Sequence, residues 1–228
     1  MTPFEVPQSI SSFRRYSEEE ALAFAHRTGW LDDVGVFDAT HGVVQAAPTP
    51  WWPECQLVTM QNPDWENVMG AWVLDGTTSR LVRLDGTSPP IHRLNAKHGT
   101  ALTADLALPY LGFFCTFVHG EEGMFGLVAS GREAILPSDW PADKLGKLLK
   151  PAKLVSEDER GFRVETSVVY SNALFWAHFL VQRSGMSEML EDEPQAADLD
   201  TKIRLRLRFE DKPETHEKTA EDEPEQVH

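Results

Sequence analysis

The chain has 228 residues and a formal net charge of −15, with 41% hydrophobic residues and seven tryptophans. It is long enough to bury the core of one ordinary domain, and too apolar for wholesale disorder. The acidic balance argues against general binding to phosphate backbones, which needs clustered Lys and Arg, and favours solubility and basic partners.

Ser17 and Glu20 form a capping box, and Glu18 and Glu19 suit the positive end of a helix dipole. A short helix follows, with Ala21, Leu22, Phe24 and Ala25 on its buried side and Gly29 as its stop. Residues 30–62 are rich in turn formers. Pro48, Pro50 and Pro53 bracket Trp51-Trp52, which reads as an ordered but irregular crossing. Runs 71–74 and 80–84 flank Asp75-Gly76-Thr77-Thr78-Ser79, a hairpin signal, and Pro89-Pro90 closes the second strand.

Residues 103–119 read as a helix. Thr103 is its N-cap, and Leu106, Tyr110, Phe113, Phe114 and Phe117 fall at helical spacing, with Pro109 as a kink or first residue. A short strand over 124–129 and a short helix over 139–149 follow.

Residues 161–190 carry the clearest pairing. Phe162, Val164, Thr166, Val168 and Tyr170 alternate with more polar neighbours. After Ser171-Asn172 comes the run Ala173, Phe175, Ala177, Phe179, Val181. A two-residue loop sets Tyr170 opposite Ala173, Val168 opposite Phe175 and Val164 opposite Phe179, apolar on apolar throughout. Phe175 and Phe179 are thus expected in the main core. A second tight turn at Ser184-Gly185 leads into 186–190, and the acidic stretch 191–201 reads as a loop.

Residues 202–209 alternate without a break. A strand there places Ile203, Leu205, Leu207 and Phe209 on one face and Lys202, Arg204, Arg206 and Arg208 on the other. The cationic face reads either as a solvated edge that discourages unwanted pairing or as a docking strip for an acidic partner. Residues 210–228 hold eight acidic residues, two lysines and two prolines, and read as an acidic disordered tail. The expected organisation is one α+β domain over 1–209, an antiparallel sheet ending in a meander of long strands and packed on a few helices, followed by that tail.

Cys55 and Cys115 are too few for a disulfide framework and lie in apolar surroundings, so buried free thiols in a reducing, cytoplasmic setting are expected. The N-terminus lacks a positive region followed by an apolar run, and the longest apolar stretch, 106–118, is too short for a membrane span. No signal peptide, membrane contact or nucleic-acid contact is therefore expected.

One constellation can carry chemistry. The hairpin registers set His178 opposite Glu165 on one side and Glu191 on the other, beside Leu174, Trp176 and Leu180. An imidazole flanked by carboxylates can serve as a base with an orienting partner. The more ordinary reading is a satisfied polar pair on a half-exposed sheet. His92, His98, His119, Glu121 and Glu122 form a second polar group without the spacing that fixes two metal ligands on one element, so neither metal nor cofactor is expected. Trp51, Trp52, Trp65 and Trp72 read as core or interface packing. Two function classes stand: an accessory protein-interaction domain with a protein partner, or a small-molecule binder or enzyme using the sheet face around Trp176 and His178. An enclosed pocket on that face separates the second from the first.

Overall fold

The computed structural model describes residues 13–28, 37–62, 68–128, 147–199 and 206–207. The chain begins with β1 (Arg14–Arg15), α1 (Glu18–Thr28), β2 (Val43–Thr49), β3 (Trp52–Gln61), β4 (Val68–Asp75) and β5 (Arg80–Arg83). Two helices follow, α2 (Pro89–His98) and α3 (Ala104–Phe117), then the short strands β6 (His119–Gly120), β7 (Gly123–Met124) and β8 (Gly126–Val128). The meander is β9 (Lys153–Asp158), β10 (Gly161–Tyr170), β11 (Ala173–Gln182) and β12 (Ser187–Ala196), and β13 is the pair Arg206–Leu207. This is the expected α+β domain of antiparallel strands and a few helices, with its long-strand meander on the C-terminal side. Among the described residues no helix is long and apolar enough to cross a membrane.

The strands form two main sheets and a separate two-stranded pair, β6-β7. The first has the order β1-β2-β3-β4-β13, with β5 also on β4; the second has the order β12-β11-β10-β8, with β9 also on β10. Helix α1 covers one face of the first sheet, packing Ala21, Phe24 and Ala25 on Val44, Val58, Met60 and Trp72. Its N-terminus closes as a reciprocal capping box: Glu20 N–H donates to Ser17 Oγ at 3.3 Å and Ser17 N–H to Glu20 Oε2 at 2.9 Å. The opposite face of that sheet, helices α2 and α3, and the inner face of the second sheet share the main core. Phe113 and Phe117 of α3 are fully buried there, and Phe113 meets Trp52 edge-on at 5.6 Å between ring centroids. The layers thus run α1, first sheet, α2 with α3, second sheet.

Several elements differ from expectation for physical reasons. Residues 43–61 form a hairpin rather than an irregular crossing. The first sheet is covered on both faces, so β3 buries Leu57, Val58, Thr59 and Met60 in succession instead of alternating. Pro48 lies beyond Gln45 and Ala46, the β2 residues that β1 pairs with, and no strand among the described residues lies beside it on that side. Pro89 and Pro90 begin a helix instead of ending a strand, since the first helical positions need no N–H donor. Helix α3 runs through Pro109, with its N-cap at Thr103 as expected. The stretch read as an acidic loop from 191 continues β12 to Ala196; as an exposed edge strand it buries none of its carboxylates. Phe179 lies in the core, whereas Phe175 is only half-buried.

The β10–β11 register is the expected one, with Ser171 in the left-handed region at φ 53° within a two-residue turn. Of the cationic stretch, Lys202, Arg204 and Arg208 lie outside the described residues. The backbone of Arg206 and Leu207 pairs in parallel with Val68 and Met69 of the first sheet. The tail over 210–228, most of the helix expected over 139–149, and Trp65 also lie outside the described residues.

A buried polar chain joins the layers. Trp52 Nε1–H, on β3, donates to Asn95 Oδ1 of α2 at 3.1 Å. Asn95 Nδ2–H donates to the Tyr110 hydroxyl of α3 at 2.7 Å, and that hydroxyl donates to the Gly185 carbonyl in the β11–β12 turn at 2.8 Å. Gly185 has φ +82°, and a Cβ there would fall 2.4 Å from Asn95 Nδ2 and 2.7 Å from the Tyr110 hydroxyl. Gly99, after α2, has φ +60° with nothing within 4 Å of such a Cβ. Gly99→Ala should cost ~1–2 kcal/mol for the left-handed backbone alone, and Gly185→Ala a further ~1–3 kcal/mol for overpacking. Equal losses in urea denaturation would show that the turn does not press against α2 and α3.

Candidate functional site

The outer face of the second sheet holds the residues that sequence reasoning singled out. Glu165 and His178 are direct cross-strand partners on β10 and β11, and Glu191 of β12 is the partner of His178 on the other side. The route to Glu191 differs from the expected one. Val181 pairs with Ser187, one residue short of the register that a turn at Ser184-Gly185 alone would give, and a bulge between His178 and Phe179 restores the alignment.

Adjacency does not close into a tight pair. His178 Nδ1 lies 3.8 Å from Glu165 Oε1, beyond hydrogen-bond range. Glu165 Oε2 is 3.3 Å from Lys153 Nζ of β9, a cation that sequence reasoning missed because β9 was not read as a strand. Glu191 is exposed and forms no ion pair among the described residues. The Trp176 ring meets the His178 ring edge-on at 4.5 Å, and Lys150 Nζ sits 3.2 Å over the indole. The face is therefore a mixed, half-exposed surface with alternating charge.

A second bulge, on β9 opposite Arg163 and Val164, mirrors the one on β12. Val155 and Leu190, the residues in excess at the two bulges, rim a shallow depression of about 60 Å³ lined also by Arg163, Val164, Glu165, His178 and Phe179. Enclosed ligand sites run to ~300–1,000 Å³. The depression suits an inserted side chain better than a substrate.

The other polar group does not assemble. His92 packs its ring 6.0 Å from Phe114, and burial lowers its pKa. His119 Nε2 sits 3.1 Å from the Thr116 carbonyl, and burial lowers its pKa against that contact. Glu121 and Glu122 stand exposed in the β6–β7 turn. His98 instead points to Cys55 and Asp75, and these three are the potential metal ligands that converge among the described residues. No motif spacing marks them; they meet through the β3–β4 pairing and the end of α2. Cys55 and Cys115 are buried free thiols, as expected, and burial pushes them up to about 11 and about 12 respectively.

No known protein family, curated protein or solved structure matches the chain.

The long Glu165–His178 contact on a partly solvated face predicts a small energetic role. Glu165→Gln should change the unfolding free energy by no more than ~1 kcal/mol. A loss of several kcal/mol in urea denaturation would mark the pair as a tight, desolvated one.

Proposed function

We propose that the protein is an accessory interaction domain that docks a basic, partly apolar polypeptide segment on the outer face and acidic edge of its second sheet. The observation that carries this reading is where apolar residues stay in water. The exposed large apolar side chains among the described residues are Leu22, Val155, Met186, Met189 and Leu190, and all but Leu22 belong to β9, β12 or the turn before β12. Apolar exposure gathered in one place marks an interaction surface more than scattered exposure does. Methionines suit such a surface because their side chains adapt to different contacts.

Charge points to the partner's chemistry. Glu188, Glu191, Asp192 and Glu193 follow one another on the exposed edge strand, and none forms an ion pair among the described residues. Like charges along a free edge also discourage accidental strand pairing. That protective role explains the carboxylates but not the exposed Leu190 among them, nor Val155 across the depression. Together they complement a segment alternating Lys or Arg with apolar residues, steered by charge and anchored in the depression between the bulges. The alternative, acid–base chemistry by His178 with Glu165 or Glu191, draws support from their adjacency, while the 3.8 Å contact and the small depression weigh against it.

The test is an NMR titration of the full-length protein with a synthetic Lys/Leu-alternating octapeptide and its Glu/Leu counterpart. The basic peptide should shift β9, β11 and β12 amides selectively, with affinity that falls as salt rises. Leu190→Asp should weaken it about tenfold, the ~1.4 kcal/mol expected for one lost apolar anchor. Equal response to the acidic peptide, or indifference to Leu190→Asp, would refute the proposal.

A further inference from the structure

We propose that Cys55, Asp75 and His98 form a Zn²⁺-binding site between the first sheet and the end of α2. Their ligand atoms, a sulfur, a carboxylate oxygen and an imidazole nitrogen, lie within 4.8 Å of one another. His98 Nε2 is 3.4 Å from Cys55 Sγ and 3.5 Å from Asp75 Oδ2. Zinc bond lengths of ~2.0–2.3 Å in tetrahedral geometry require ligand separations of about 3.6 Å for the sulfur–nitrogen pair and about 3.4 Å for the nitrogen–oxygen pair. Both edges from His98 Nε2 already match those lengths, and the sulfur and the carboxylate oxygen lie within 4.8 Å of each other. One ring nitrogen facing both a thiol and a carboxylate cannot serve both well as a hydrogen-bond partner. A cation at the shared point satisfies all three.

The surroundings hold the ligands as a metal site requires. Cys55 and Asp75 are direct cross-strand partners on β3 and β4, both buried. Asp75 Oδ1 accepts from Thr77 N–H at 2.9 Å, Thr77 Oγ–H at 2.6 Å and Thr78 N–H at 3.3 Å. The turn thereby saturates one oxygen and presents the other, Oδ2, to His98, the orienting role of outer-shell hydrogen bonds at metal centres. His98 is the last residue of α2, fixed by the left-handed Gly99 that follows. A borderline-soft mixture of thiolate, imidazole and carboxylate selects zinc over magnesium or calcium, which prefer all-oxygen shells.

Lys97 supplies the counter-charge when no metal is bound. Its Nζ donates to Asp75 Oδ2, the oxygen the metal would take, and also lies 3.3 Å from Thr78 Oγ1. Its side chain is 43% exposed and can swing into solvent, whereas those of Asp75 and His98 are 1% and 9% exposed. Metal entry forms bonds to sulfur, nitrogen and oxygen, releases the thiol proton to solvent and displaces the ammonium group. Three protein ligands leave a fourth coordination position for water or another exogenous ligand.

Metal-free full-length protein titrated with Co²⁺ should develop a thiolate-to-cobalt charge-transfer band and tetrahedral visible bands, saturating at one equivalent. Zn²⁺ should bleach them and raise the melting temperature. Cys55→Ser should abolish the charge-transfer band, and His98→Gln should weaken Zn²⁺ at least tenfold by calorimetry. Lys97→Gln should tighten Zn²⁺ several-fold by removing the competing cation. Because Cys55 is buried, far-UV circular dichroism checks folding first; if Cys55→Ser does not fold, the His98 and Lys97 variants decide the matter. No charge-transfer band in the wild type overturns the site. So does Zn²⁺ affinity unchanged by both His98→Gln and Lys97→Gln, the result expected if metal merely collects on exposed carboxylates.

Discussion

The buried Tyr110 hydroxyl links the central helices to the second sheet and, through Asn95, to the first. It accepts from Asn95 and donates to the Gly185 carbonyl, while Asn95 in turn accepts from Trp52. Trp52 belongs to the first sheet, Asn95 and Tyr110 to the two central helices, and Gly185 to a turn of the second sheet. All four residues are buried, so each polar atom must find a partner inside the protein or cost ~1–3 kcal/mol. Burial pushes the Tyr110 pKa up against the Asn95 hydrogen bond, which keeps the hydroxyl protonated and able to donate. Apolar packing of Phe113 and Phe117 supplies the larger stabilisation but little direction. The hydrogen-bonded chain sets which turn meets which helix.

That anchoring also positions chemistry. Asn95 and His98 are three residues apart on α2 and so share a face. Trp52 and Cys55 are likewise close together on β3. Fixing Asn95 against Trp52 therefore brings the end of α2 against the start of β3 and the β4–β5 turn, where His98 and Lys97 meet Cys55 and Asp75. Burial alone would push the Asp75 carboxyl up. Hydrogen bonds from Lys97, Thr77 and Thr78 outweigh that and hold it below the usual carboxylate range. The outer face of the second sheet is set differently. Its two bulges leave Val155 and Leu190 standing around a depression instead of folding them into the alternation.

What was legible in the sequence follows from which forces are local. The β10–β11 register could be read because alternation and a two-residue turn over-determine it, and the capping box of α1 because its two bonds span three residues. Glu191 was placed opposite His178 through two offsetting shifts, one in the turn and one in the bulge, neither of which has a sequence signature. Helix α2 was hidden because prolines mark the start of a helix as well as the end of a strand. The β2–β3 hairpin was hidden because a sheet covered on both faces shows no alternation. Cys55, Asp75 and His98 could not be read together at all, since they sit on three elements joined by tertiary packing. The Asp75-Gly76 turn was visible, but only as a turn.

The most direct test of the anchoring is a double-mutant cycle between Asn95→Ala and Tyr110→Phe, followed by urea denaturation. Residues that share one buried hydrogen-bond network should couple, and a coupling energy of at least ~1 kcal/mol is expected. Both sheets should also lose protection in a single transition. Effects that add to within ~0.5 kcal/mol, with the sheets unfolding separately, would show that apolar packing alone joins the layers and that the network is incidental.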